Sequence, residues 1–323
     1  MQGIELEEQV LATLAYYGAL RWPLTVVELS ERFIPLGAGK ASMGQLVAML
    51  EQLARDGQIR ADSGLYVLGD TPVYIVENRV RREAESAHKW RMLLRWAWWL
   101  QMVPYVRMVA GSGSLAMGSS SAQSDWDVFV VAKAGRLYTA RLGLLVIAGL
   151  LGRLRTKSMR VAPNRFCFNH IITTDGLAIR HRSLFTAHAL AWLVPFYDPW
   201  KFAHRLCDAN QWVYEYSSAS IGEQFIRRAI STSRFLSAIR KCIEFVLNTF
   251  IGTWVERVLR SWMQKRIMAN PETTAPGGRI VADNRELEFH PHSFEAVALS
   301  RYNATLSRIG LGKFSQRDSG LTK

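Results

Sequence analysis

The sequence predicts an α/β (α+β) protein in three parts. These are an N-terminal domain of three helices and a β-ribbon (residues 1–75), an α/β core led by a basic helix (76–182), and a mainly helical C-terminal region (183–323). Three observations carry this prediction. Charge divides sharply near residue 75: the segment before it holds five bases against nine acids, net −4, and the rest holds 35 bases against 18 acids, net +17. Between residues 105 and 173, short β-type runs alternate with helical patterns, the order of an α/β core. Beyond residue 183, apolar residues recur mostly at helical spacing.

Leu6–Tyr17 carries the first helical pattern. Pro23 suits the first turn of a second helix, and Leu24–Phe33 continues the period. Met43, Leu46, Val47, Leu50 and Leu53 mark a third helix, which Asp56-Gly57 ends. Ile59–Leu68, with Ser63-Gly64 at its middle, reads as a two-stranded ribbon. Three helices and a ribbon resemble a winged helix domain. A net charge of −4 suits DNA poorly, because DNA affinity comes largely from Lys and Arg on phosphates. A protein partner, the chain's own core included, is the expected contact of this domain.

Asn78–Gln101 interleaves Arg79, Arg81, Arg82, Lys89, Arg91 and Arg95 with Trp90, Trp96, Trp98 and Trp99. Such interleaving suits single-stranded nucleic acid. Large aromatics are mostly buried, so an amphipathic helix packing its tryptophans on the next domain is the preferred reading. Tyr105–Ala110 and Asp127–Ala132 are the first core strands, Arg136–Arg155 a helix, Arg165–Thr173 a third strand, and Asp175-Gly176 a hairpin turn. Phe235, Ile239, Ile243, Val246, Leu247, Phe250, Trp254, Val258 and Trp262 form one helical stripe, with Arg240, Lys241, Arg257, Arg260, Lys265 and Arg266 on other faces. The stretch 235–266 can lie on an anionic membrane, but packing against the core is preferred.

The chain is 49% apolar and 21% charged, which permits a packed core and rules out wholesale disorder. A net charge of +13 implies an anionic partner: nucleotide phosphates, nucleic acid or a membrane surface. Cys167, Cys207 and Cys242 lie far apart, which excludes a disulfide framework and a Cys-x-x-Cys zinc site. The start, Met1 to Gln9, is acidic, unlike a signal peptide. Leu142–Gly152, the longest uncharged apolar run in the middle, is too short to span a bilayer. A reducing, cytoplasmic setting is expected.

The chemistry concentrates in Gly111-Ser-Gly-Ser-Leu-Ala-Met-Gly118, a Gly/Ser turn after a strand, and in Ser124-Asp125-Trp-Asp127 at the start of the next strand. Residues two apart on a strand share a face, so Asp125 and Asp127 should project together, about 7 Å apart along the backbone. Two such carboxylates can hold Mg²⁺ against a triphosphate, the ion completing its shell with phosphate oxygens and water. A helix opening after Gly113-Ser114 would offer free N–H groups to phosphate. Gly111-Ser-Gly113-Ser-Leu-Ala116 also fits the dinucleotide fingerprint, but the segment after it is short and the acids open the second strand rather than end it. Around Gly39-Lys40 the phosphate-loop pattern fails, with Ile34 and Ala41 at its defining positions.

Gly113-Ser114, Ala116, Gly118 and Ser124-Asp125-x-Asp127 together resemble the signature of the DNA polymerase beta-like nucleotidyltransferase superfamily, in the spacing of its minimal members. Gly135–Arg141, Phe166–Asn169, Thr186–His188 and Leu287–Pro291 are similar to pieces of an uncharacterised bacterial group with that core and an N-terminal winged-helix-like domain. The resemblance implies Mg²⁺-dependent transfer of a nucleoside monophosphate from an NTP to an acceptor (protein, small molecule or RNA), with two Mg²⁺ ions. It implies Gly113, Ser114, Gly118 and Ser124 around the triphosphate, and Asp125 and Asp127 as catalytic metal ligands. Superfamily members usually add a third acid on a later strand. Arg165–Thr173 contains none, and Asn169 is favoured for that place over Asp175, which a hairpin turn explains.

Two other readings remain: a non-catalytic nucleotide-binding or regulatory protein on the same fold, and a nucleic-acid-binding regulator. His290-Pro291-His292 lacks a third zinc ligand and reads as structural or surface. His188, in an apolar helical stretch, reads as a satisfied partly buried histidine. His170 and Asn169 are strand neighbours, so only one of them should point into the site.

Overall fold

The computed structural model describes residues 2–36, 41–156, 159–218, 228–273, 278–290 and 293–316. Gly39-Lys40 and Pro291-His292 lie outside the described residues. The fold is mixed α/β, with helices around two sheets.

The N-terminal part consists of α1 (Gln2–Ala19), β1 (Leu24–Thr25), α2 (Val26–Glu31), α3 (Met43–Arg55), β2 (Ile59–Asp62) and β3 (Leu65–Leu68). Ser63 and Gly64 both take positive φ, 54° and 77°, which closes the expected ribbon as a tight hairpin. The second helix starts later than Pro23 suggested. Thr25 and Glu28 form a reciprocal capping box that fixes its first turn, and Leu24 instead pairs with Tyr66 to make a three-stranded sheet, β1-β3-β2.

The basic helix α4 (Tyr74–Ala97) ends in a 3-10 turn, Trp98–Met102. Its packing is split. Arg79, Lys89 and Trp90 are buried, whereas Trp99 is exposed. Then come β4 (Val106–Gly111), α5 (Gly113–Met117), β5 (Trp126–Ala132), α6 (Leu137–Leu150) and β6 (Phe166–Thr173). The predicted helix to Arg155 stops five residues early: Gly152 adopts φ +65° and Leu154 bridges to Phe166. The rest is α7 (Leu184–Ala191), β7 (Val194–Tyr197), α8 (Phe202–Ala209), α9 (Arg234–Leu247), α10 (Phe250–Met268), β8 (Arg279–Ala282), β9 (Glu286–His290) and α11 (Glu295–Arg308).

The C-terminal region is thus mostly helical, yet β7, β8 and β9 join the central sheet, whose order is β7-β4-β5-β6-β9-β8. Only the β5–β6 pair is parallel among these neighbours. At Asp175-Gly176 a turn forms, with Gly176 N donating to Thr173 O at 2.9 Å, but no hairpin follows. The next strand, β7, pairs with β4 instead.

Residues of β5 alternate between two apolar layers. Trp126, Val128 and Val130 pack with Trp90 of α4 and Leu144 of α6; Phe129 and Val131 pack with Ala187 of α7 and Leu206 of α8. The N-terminal part is fastened to this body. Tyr16 meets Tyr302 of α11 edge-to-face at 5.7 Å, and the Arg32 guanidinium lies 3.4 Å over Trp192.

The apolar stripe at 235–266 departs from the preferred reading. It spans two helices joined at Asn248-Thr249, and Phe235, Val246, Phe250, Trp254, Val258 and Trp262 are exposed rather than packed on the core.

Candidate active site

Gly111, Gly113 and Gly118 have separate physical reasons. Gly111 ends β4 against Trp90, whose ring a Cβ would meet at 2.4 Å. Gly113 takes φ +57°, and a Cβ there would lie 2.7 Å from Asp127 Oδ2. The backbone of the turn therefore lies directly against the carboxylate, an approach that only glycine allows. Gly118, at φ +79°, is the left-handed cap that ends α5 after five residues. This helix is too short for a substantial dipole, so what it offers is the amide groups of its first turn.

Asp125 precedes β5 and Asp127 lies within it. The expected convergence is present: one carboxylate oxygen from each and Sγ of Cys167 lie within 4.8 Å of one another. Burial pushes the Asp127 carboxyl up to about 7, and the nearby Asp125 charge adds to this. Burial likewise pushes the Cys167 thiol well above its usual range. Arg155 forms an ion pair with Asp125 and approaches Cys167 Sγ at 3.8 Å.

Asn169 Nδ2 donates to Asp127 Oδ1 at 2.8 Å, which brings the favoured third-position residue to the carboxylates. Asp175 does not reach them. It is exposed beyond the far end of β6, about 20 Å along the strand from Cys167, and pairs with Arg285 at 3.4 Å.

Of Asn169 and His170 only Asn169 reaches the Asp125–Asp127 pair, as expected, although β6 also carries a bulge here. Asp127 pairs with Cys167, but Phe129 pairs with His170, so β6 has one residue more than β5 over this stretch. Asn169 thus bonds to Asp127 while His170 packs edge-to-face on Phe129 at 4.9 Å. His170 continues to β9, its Nε2 3.1 Å from Glu286 Oε1. Glu286 and Glu288 are both buried, and their oxygens with the His170 nitrogen form a second potential ligand group. Burial alone would raise the Glu286 carboxyl, but the His170 hydrogen bond and the Arg279 charge hold it below its usual value. Arg279 also bonds Glu288, so one guanidinium serves both carboxylates. His290 approaches Glu288 at 3.8 Å.

The loop between α5 and β5 is tied to α4. Lys89, completely buried, donates from Nζ to Ala122 O at 3.1 Å, Ser124 O at 2.9 Å and Asn164 Oδ1 at 2.9 Å. Burial lowers its ammonium pKa, and the Glu85 and Asp125 charges oppose that shift. The Ser124 hydroxyl accepts from Ser121 N at 3.0 Å, so this side chain shapes the loop. The Ser114 hydroxyl lies 3.4 Å from that of Ser120.

Sequence reasoning missed Arg155, Cys167, Lys89 and the β9 glutamates. Gly152 was a readable stop signal that would have freed Arg155 from the helix. Nothing local in the sequence joins β9 to β6. His188 is the buried, satisfied histidine expected: its Nδ1 accepts from the Tyr17 hydroxyl at 2.9 Å and its Nε2 lies 3.2 Å from Tyr216 O. No protein-family model, curated protein or solved structure matches the chain.

Proposed function

We propose that this chain is a nucleotidyltransferase: a winged helix domain on a nucleotidyltransferase core that moves a nucleoside monophosphate from an NTP to a protein, small-molecule or RNA acceptor. The observation that carries the reading is the Gly113 turn lying on Asp127 while Asp125 converges beside it. This is the juxtaposition a metal-bound triphosphate requires, with backbone amides for phosphate oxygens and two carboxylates for the cation.

The residues present fit a hard divalent cation. Two carboxylates stand close together in a partly buried position, where burial first and the Asp125 charge second hold the Asp127 carboxyl up, and a bound cation would favour its charged form. Asp125 and Asp127 would hold Mg²⁺, which when bound neutralises phosphate charge and lowers the pKa of an attacking hydroxyl. The oxygen set suits one ion better than the two expected, since the sulfur of Cys167 is a soft ligand and Asn169 contributes no charge. Arg155 would keep Asp125 oriented, and Asn169 would hold Asp127 through its amide. Gly113 and Ser114 would receive phosphate oxygens on their N–H groups.

An amide cannot take the acceptor's proton. Asn169 in the third position therefore also favours a second reading, a protein that binds Mg²⁺-NTP without turning it over. Pyrophosphate release and calorimetric titration with Mg²⁺-NTP, run on the same preparation with cell extract as acceptor source, separate the two. Turnover that falls to background in both Asp125→Ala and Asp127→Ala, with the fold intact by circular dichroism, is the expected result. Tight binding without release would support the second reading. Near-native release by either variant would overturn the site.

A further inference from the structure

Helices α9 and α10 present an apolar face to solvent. Phe250, Trp254, Val258 and Trp262 follow one another at four-residue spacing along α10 and are 84%, 63%, 45% and 51% exposed. On the opposite side of α10, Gly252 and Met263 are buried against the protein. On the preceding helix α9, Phe235, Phe245 and Val246 are likewise 70%, 78% and 55% exposed. Scattered apolar residues on a surface need no explanation, but an aromatic row along one helix, with more exposed apolar residues on the helix before it, marks an interaction site.

The charges around the face are sorted by sign. Arg234, Lys241, Arg257, Arg260, Lys265 and Arg266 are all exposed. The two acids of these helices are turned inward. Glu244 accepts from Tyr105 N at 2.7 Å and pairs with Arg107 at 2.9 Å. Glu256 accepts from Tyr138 N at 2.9 Å and Thr139 N at 2.8 Å. The exposed charged side chains of the two helices are therefore all cations.

We infer that α9 and α10 form a docking face for an anionic lipid bilayer, with the aromatic side chains entering the headgroup boundary and the six cations meeting lipid phosphates. Interfacial helices combine an apolar face bearing Trp and Phe with flanking Lys and Arg in this way. A second copy of the chain is disfavoured as the occupant, because it would set the same cations against each other. No helix among the described residues is long and apolar enough to cross a membrane, so the contact is peripheral.

The test is flotation of the full chain with vesicles of phosphatidylglycerol and phosphatidylcholine in equal parts, against vesicles of phosphatidylcholine alone. Binding about tenfold or more stronger to the anionic vesicles is expected, weakening as salt rises. The double variant Phe250→Glu/Trp254→Glu should lose about tenfold or more of that binding. Both side chains are exposed, so its thermal unfolding should match the wild type, and circular dichroism checks this. Absence of flotation would overturn the proposal, as would equal binding to both vesicle types or a variant that binds as well as wild type. A wild-type dimer in sedimentation velocity that the double variant abolishes, without vesicle binding, would overturn it in favour of self-association.

Discussion

Lys89 shows how a single residue can hold the loop before the candidate site without entering it. A fully buried ammonium is costly unless its hydrogens are all used, and here three oxygens receive them, two from the loop before Asp125 and one from Asn164. Lys89→Met keeps much of the side-chain volume but leaves those acceptors unpaired. It should cost about 2–4 kcal/mol of stability, the scale of one or two buried polar groups losing their partners. It should also weaken Mg²⁺-NTP binding, because the backbone that aims Asp125 is released. Urea unfolding and calorimetry on the same variant check both effects. Unchanged nucleotide binding in a destabilised but folded variant would restrict Lys89 to a structural role. Lys89 was legible in the sequence only as one base among several in a Trp-rich helix. Its significance depends on a loop 33 residues further on, which no local pattern reveals.

At the scale of the element, the strands that local spacing defines were readable and the pairing between distant segments was not. β4, β5 and β6 were visible because alternation and turn residues act locally, and the Gly-Ser and Asp-x-Asp pieces were visible because their spacing is fixed by one turn between two strands. The bulge in β6 was hidden, since an extra residue leaves no mark on composition; it places both Asn169 and His170 beside β5. The place of β9 was hidden for a related reason: Leu287 pairs with Ile171, more than a hundred residues earlier. A direct test follows for β6. Asn169→Asp would replace the amide donor on Asp127 with a third carboxylate, so apo stability should fall by about 1–3 kcal/mol from like-charge repulsion and a lost hydrogen bond. Mg²⁺ affinity should stay the same or rise, because a charged oxygen replaces a neutral group. Asp175→Asn, exposed and paired with the exposed Arg285, should be nearly silent in both measurements. Loss of pyrophosphate release in a folded Asp175→Asn would return the third position to Asp175.

Over the whole molecule, the acidic N-terminal part is fastened to the basic remainder through a buried polar chain, and this connection makes stability depend on pH. The Trp192 indole donates to the Tyr17 hydroxyl at 3.1 Å, which in turn donates to His188. Burial, with the Arg32 charge adding to it, lowers the His188 pKa to about 3, so the ring stays neutral in the folded protein. An unfolded chain regains an ordinary histidine near 6.5. Between those values the unfolded state binds the extra proton, so stability from this residue is complete above about pH 6.5 and is lost as pH falls toward 3. The expected slope is about 1.4 kcal/mol per pH unit for one such group. Carboxylates also titrate in this window, so the histidine contribution is isolated by comparison. His188→Gln retains a polar partner for Tyr17 but cannot take up the proton in this range. Urea unfolding at pH 6.5 and pH 4.5 should show the wild type losing about 2–3 kcal/mol more than the variant across this interval. Parallel losses in the two proteins would mean that His188 is already protonated in the folded state, and that the connection between the N-terminal part and the core does not depend on a neutral ring.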